Sequence, residues 1–105
     1  MSTSCEYVLS GPDVKNGSIR FSRLKPLGIE DHFFGGTNAS APARKRLRVT
    51  FRPGSTSEQW IYGNKKIFAN RDPHTSEFFA AIGAGAGTVL RVTRTASNSL
   101  TIEKA

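Results

Sequence analysis

From Arg46 to Arg52 the chain alternates without a fault. Leu47, Val49 and Phe51 fall on one side, and Arg46, Arg48, Thr50 and Arg52 on the other. A period of two sustained over this stretch leaves one solution, a β-strand with one buried face and one solvated face. A helix would scatter the three apolar side chains around its circumference. A single strand has no partner for its backbone N–H and C=O groups, so others must exist. Candidates are Cys5 to Leu9, Ser18 to Ser22, Gln59 to Tyr62, Lys66 to Phe68, Thr88 to Thr95 and Ser99 to Glu103. In the Thr88 segment Val89 or Leu90 and Val92 read as buried, with Arg91 and Arg94 directed out.

Two segments read as helices. Pro26 to Phe34 has room for two turns, with Leu27, Phe33 and Phe34 on an apolar side and Glu30 and Asp31 exposed. Thr75 or Ser76 is placed to cap a helix over Glu77 to Ile82, packing Phe78, Phe79 and Ile82 inward, and Gly83 is placed to end it. Thr37 to Pro42 reads as a polar loop and Ala84 to Gly87 as a connection. The expected architecture is mainly β (α+β), about seven short strands in a small barrel or strongly bent sheet, plugged by two helices. No linker divides the chain, so residues 1–105 read as one domain.

Composition narrows the function. Fifteen Lys and Arg stand against eight Asp and Glu, a net charge of +7. Between Ala41 and Arg71 lie Arg44, Lys45, Arg46, Arg48, Arg52, Lys65, Lys66 and Arg71, with Glu58 the only acid. Such a concentration is the electrostatic footprint of a polyanion-binding surface, although basic proteins that merely stay soluble are common. Cys5 is the only cysteine, so neither an intrachain disulfide nor a cysteine-rich zinc site can form. With no secretory pattern at the start and no run of about 20 apolar residues, a soluble intracellular protein with no membrane partner is expected.

Catalytic motifs are weak. Pro12-Asp13-Val14-Lys15 ends like a common Mg²⁺-nuclease site, but Glu6 is the only acid upstream, so the pattern reads as a turn. His32 and His74 lack the spacing of metal ligands, and Cys5 reads as a small buried hydrophobe. Gly83-Ala84-Gly85-Ala86-Gly87 lacks the Lys-Ser/Thr of a phosphate loop and follows a helix instead of opening one. No metal or cofactor is called for, and the chain by itself is not expected to be an enzyme.

Two turns are more informative. Ile61 to Arg71 carries Lys65, Lys66, Arg71, Asn64 and Asn70 with no acid, around a Gly63-Asn64 turn signal. Lys15-Asn16-Gly17, within the loop Ser10 to Ser18, echoes it. Each reads equally as a solvated hairpin tip or as an arm that grips a duplex. Arg and Lys hydrogen-bond guanine edges, Asn pairs with adenine, and all of them reach phosphate. Outward Arg46, Arg48 and Arg52 share one strand face at about 7 Å or twice that, near the spacing of backbone phosphates or twice it. With Arg23 they are candidate phosphate contacts.

The order of these pieces resembles the DNA-binding pseudobarrel superfamily. It runs from a first strand through the Lys15-Asn16-Gly17 arm, the Ile19-Arg20-Phe21 strand, the Leu24 to Phe34 helix and the basic strand. Tyr62-Gly63-Asn64 with Asn70-Arg71 and the Phe78-Phe79 helix follow. That superfamily includes plant B3 domains and the recognition or effector domains of bacterial restriction endonucleases of the EcoRII and BfiI type; the Tyr62 to Arg71 segment is more similar to the bacterial ones. The resemblance covers about residues 5 to 103 and implies a seven-stranded open pseudobarrel that holds the major groove between two arms. It implies an N-arm with Lys15, Asn16, Ser18 and Arg20, and a C-arm with Asn64, Lys65, Lys66, Asn70, Arg71 and His74. Arg71 is the expected guanine contact. Asp72-Pro73 interrupts the basic pattern, and Asp13 sits near the N-arm tip, either accepting from a cytosine amino group or shaping the turn. The implied function is sequence-specific double-stranded DNA binding in the prokaryotic cytoplasm, as a monomeric module whose nuclease domain lies outside this chain. A single-strand or RNA-binding small barrel, and a small metal-dependent nuclease, are the alternatives.

Overall fold

A computed structural model describes residues 3–37, 40–69 and 74–105. They form a mainly β, α+β fold: one open five-stranded sheet with two α-helices. The strands are β1 (Thr3–Val8), β2 (Leu47–Arg52), β3 (Thr56–Gln59), β4 (Val89–Ala96) and β5 (Ser99–Lys104), and the helices are α1 (Gly11–Asn16) and α2 (His74–Ala81). The sheet order is β1-β4-β5-β2-β3. Neighbours are antiparallel except β2 and β5, which run parallel in register from Arg48 opposite Ser99 to Arg52 opposite Glu103.

The alternation that fixes β2 as a strand also fixes its faces. Leu47, Val49 and Phe51 are buried while Arg48 and Arg52 are exposed. Tyr7 of β1, Leu90 and Val92 of β4, and Leu100 and Ile102 of β5 join them on the inner face. Phe78 and Phe79 of α2 cover that face together with Ile19, Phe21, Leu24, Leu27, Phe33, Ile61 and Phe68. The rings interlock: Phe51 and Phe78 lie 5.0 Å apart, and Phe21 meets Phe68 edge-on at 4.9 Å. Offset and edge-on pairs of this kind are the favoured aromatic geometries.

Five strands, not seven, make the sheet: three expected segments form no strand of it, and one strand, β3, lies where none was expected. Ser18 N–H bonds Asp13 O, Arg20 N–H bonds the Tyr7 hydroxyl and Phe21 N–H bonds Lys66 O. With its donors thus engaged, Ser18 to Ser22 pairs with no strand, and Phe21–Arg23 closes into a 3-10 turn. Gln59 to Tyr62 and Lys66 to Phe68 reduce to one antiparallel bridge, Ile61 with Phe68, while β3 lies earlier in the chain. The helix expected over Pro26 to Phe34 is two separate 3-10 turns, Lys25–Leu27 and Asp31–Phe33. Gly28, left-handed at φ 61°, stops the first, and extended Glu30 precedes the second. Arg94 also departs from expectation. It lies on the inner-face side of β4, where its guanidinium donates to the Leu27 and Gly28 carbonyls at 3.1 and 2.9 Å and pairs with Glu30.

The segment Ser10 to Ser18, expected as a loop, holds α1. The Ser10 hydroxyl accepts from Asp13 N–H, and the Asp13 carboxylate accepts from Ser10 N–H, a reciprocal capping box. Pro12 sits in the first turn, where its missing N–H costs nothing, and Gly17 at φ 61° closes the far end. Among the described residues no helix is long and apolar enough to cross a membrane. No group of three or more His, Cys, Asp or Glu among them can hold a metal ion.

Candidate nucleic-acid interface

Chain segments 16–22 and 62–67 meet at one open cleft of about 630 Å³, lined by Asn16, Ser18, Arg20, Ser22, Asn64, Lys65, Lys66 and Ile67. The two arms that the sequence separates by some forty residues are therefore opposite walls of one depression. They are stitched together by Phe21 N–H to Lys66 O at 2.7 Å and, beneath, by the Phe21–Phe68 ring pair. The lining carries three cations and no acid.

The wall from 62 to 67 is a tight loop. Tyr62 N–H bonds Ile67 O at 2.9 Å and Lys66 N–H bonds Tyr62 O at 3.0 Å, with Lys66 itself at φ 58°. Asn64 Oδ1 accepts from Lys65 N–H at 2.8 Å, so one end of that carboxamide shapes its own turn. Gly63 is required by close approach: a Cβ there would lie 2.4 Å from Gly35 O. Lys66 Nζ stands 4.6 Å from the centre of the half-buried Phe34 ring, a cation–π contact that holds the ammonium at the cleft rim. Further along, Arg46 lies 5.9 Å over Trp60, whose ring meets Tyr62 edge-on.

The opposite wall is anchored by a buried polar network. Tyr7, 2% exposed, donates its hydroxyl proton to Asp13 Oδ2 at 2.9 Å and accepts Arg20 N–H at 3.0 Å. Burial pushes the Tyr7 phenol up to about 12; the Arg20 N–H opposes this, and the Asp13 carboxylate adds to it. Asp13 is 1% exposed and its Oδ1 accepts no hydrogen bond, but Arg20 Nε stands 3.5 Å from it. Asp13 thus shapes the turn from inside. It is not placed to accept from a base.

The structure gathers Asn16, Ser18, Arg20, Asn64, Lys65 and Lys66 and leaves the other expected contacts apart. Lys15 is exposed on α1 and does not line the cleft. His74 opens α2 and its Nδ1 is hydrogen-bonded to Ser55 Oγ at 3.0 Å, away from the lining. Arg23 is exposed in the 3-10 turn beyond Ser22. Asn70 and Arg71 lie outside the described residues. Arg48 and Arg52 stand on the outer face of the sheet, the side turned from the core. There the register sets Glu6, Arg91, Glu103 and Arg52 in one row across four strands, and Arg48 opposite Glu58. Alternating signs cancel in that row, so the outer face offers an anion far less than the cleft does. Sequence reasoning missed Ser22, Ile67 and the Tyr7–Asp13 support. The Ser10-x-x-Asp13 spacing with Pro12 and Gly17 was the available signal for the last. No family model, curated protein or solved structure matches the chain.

Proposed function

We propose that this chain binds double-stranded DNA sequence-specifically through the cleft between the 16–22 and 62–67 walls. The observation that carries the reading is the convergence of Arg20, Lys65 and Lys66 with Asn16, Asn64, Ser18 and Ser22 on one surface without an acid. Cations hold phosphates, while Arg and Asn carry the paired donors and acceptors that distinguish base edges. Lys66 on Phe34 and Arg46 on Trp60 extend the basic surface beyond the cleft. Chemistry is left to another domain: the module is the recognition or effector part of a prokaryotic restriction endonuclease, a reading that rests on the resemblance of the Lys15-Asn16-Gly17 and Tyr62 to Arg71 segments and not on the sheet, which has five strands where the resemblance implies seven.

The test is selection from a random-sequence duplex library with a single-stranded competitor present. Enrichment of a short duplex motif supports the proposal. Equal retention of all duplexes reduces the cleft to an electrostatic platform, and preference for single strands transfers the function to the stacking mode of small barrels.

A further inference from the structure

Arg20 is held unlike the other cleft cations. Its backbone N–H is fixed by the Tyr7 hydroxyl and its Nε faces the buried Oδ1 of Asp13 at 3.5 Å. No other hydrogen bond or ion pair engages its guanidinium among the described residues, and the side chain is 48% exposed in the cleft lining. Lys65, by contrast, is exposed and flexible by chemistry. A buried carboxylate oxygen with no hydrogen bond is costly unless a charge answers it. Here the answering charge approaches from the Nε side of a guanidinium whose side chain is about half exposed, so that its donors are open to a partner in the cleft. The planar guanidinium fork matches a pair of acceptors about one donor spacing apart, the pattern that guanine shows through O6 and N7.

We infer that Arg20 is the guanine-reading residue of the cleft and that Asp13, backed by Tyr7, is the positioning residue that aims it. The inference rests on the duplex-binding function proposed above. Phosphate oxygens offer the same fork a similar partner, so the experiment must separate the two.

Wild type, Arg20→Ala, Arg20→Lys, Asp13→Asn and Asp13→Asn/Arg20→Ala are each passed through the random-duplex selection. Their affinities are then measured on the wild-type motif and on that motif with 7-deazaguanine, which lacks N7. Arg20→Ala is expected to lose roughly 10- to 100-fold on the motif and its preference at one guanine. Arg20→Lys, which keeps the charge without the fork, recovers general duplex binding but not that preference. Wild type loses affinity when 7-deazaguanine replaces this guanine, and Arg20→Ala is indifferent to it. Asp13→Asn blurs the same position, and the double variant discriminates no worse than Arg20→Ala alone. Should Asp13→Asn fail to fold, the Arg20 variants, altered at an exposed side chain, carry the test. Equal losses by Arg20→Ala on every sequence, or full rescue by lysine, make Arg20 a phosphate contact and overturn the inference while leaving duplex binding standing. A wild type that selects no duplex motif overturns the proposed function itself, and this assignment with it.

Discussion

Replacing Tyr7 by Phe removes one oxygen atom while leaving the buried ring to pack as before. The lost hydroxyl donates to the Asp13 carboxylate at 2.9 Å and accepts from Arg20 N–H at 3.0 Å. A hydrogen bond to a charged group contributes about 1.5–3 kcal/mol, and stranding buried partners adds to the loss, so the variant should be destabilised by about 2–4 kcal/mol at neutral pH. At about 0.2 kcal/mol per kelvin for a chain of 105 residues, this is a fall in Tm of about 9–18 °C. The pH dependence gives a second, independent signature. The phenol keeps its proton up to about 12 in the folded protein against an ordinary value of 10.0. Between those two values the unfolded chain releases the proton first, so the stability from Tyr7, fully present below pH 10, is lost as pH rises toward 12. A raised pKa of this size amounts to about 2–3 kcal/mol. Urea unfolding of both proteins across this range should therefore show the wild-type advantage shrinking toward zero. A Phe variant within about 0.5 kcal/mol of wild type at pH 7, or an advantage that does not shrink, would refute the reasoning about the network.

Three further outcomes follow from the geometry. Lys65→Ala should weaken binding to all duplexes alike and lower the slope of log affinity against log salt by about one, leaving the melting temperature unchanged; a sequence-dependent loss would make Lys65 a base reader instead. Gly63→Ala places a Cβ against the Gly35 carbonyl, a backbone atom that cannot swing aside, and should destabilise the fold by about 1–3 kcal/mol in denaturant titration; an unchanged midpoint would show that the 62–67 wall yields. The hydrogen bond from Arg94 holds the exposed Glu30 carboxyl below its ordinary 4.5. Its contribution is present above that value and lost as pH falls through the folded-state pKa, so Glu30→Gln should show a shallower acid limb of stability against pH, and an identical limb would remove that ion pair from the account.

The parts legible in sequence are those whose information is local. Strict alternation in Arg46 to Arg52 settled the strand and both of its faces, alternation also gave β4, and an apolar run and a Ser97-Asn98 turn signal marked β1 and β5. The Phe78-Phe79 pair before Gly83 gave α2, although the helix starts at His74, so Thr75 and Ser76 lie within it and do not cap it. Such signals are local, and the chain writes them down directly. The alternation of Ser18 to Ser22 is as regular but forms no strand, because the Tyr7 hydroxyl and the Lys66 carbonyl, distant in sequence, take its backbone donors. Periodicity reports which side chains want burial and not which partner will receive an N–H.

The site divides the same way. That Asn64, Lys65 and Lys66 form one basic turn, and Lys15, Asn16 and Gly17 another polar one, was readable from residue types and turn signals, whereas Ser18 and Arg20 were implied only by the resemblance. That Asp13 is a buried brace for Arg20, that Lys66 rests on Phe34, and that Arg52 and Arg91 share a charge-balanced row were decided by tertiary structure alone. Charge in a sequence is a sum, whereas the field at a surface depends on which signs the fold sets side by side. The sequence by itself determined that this protein is a small, basic, mainly β protein with two polar turns. Only the packing of Phe21 on Phe68, which draws those turns together, made them the two walls of one cleft.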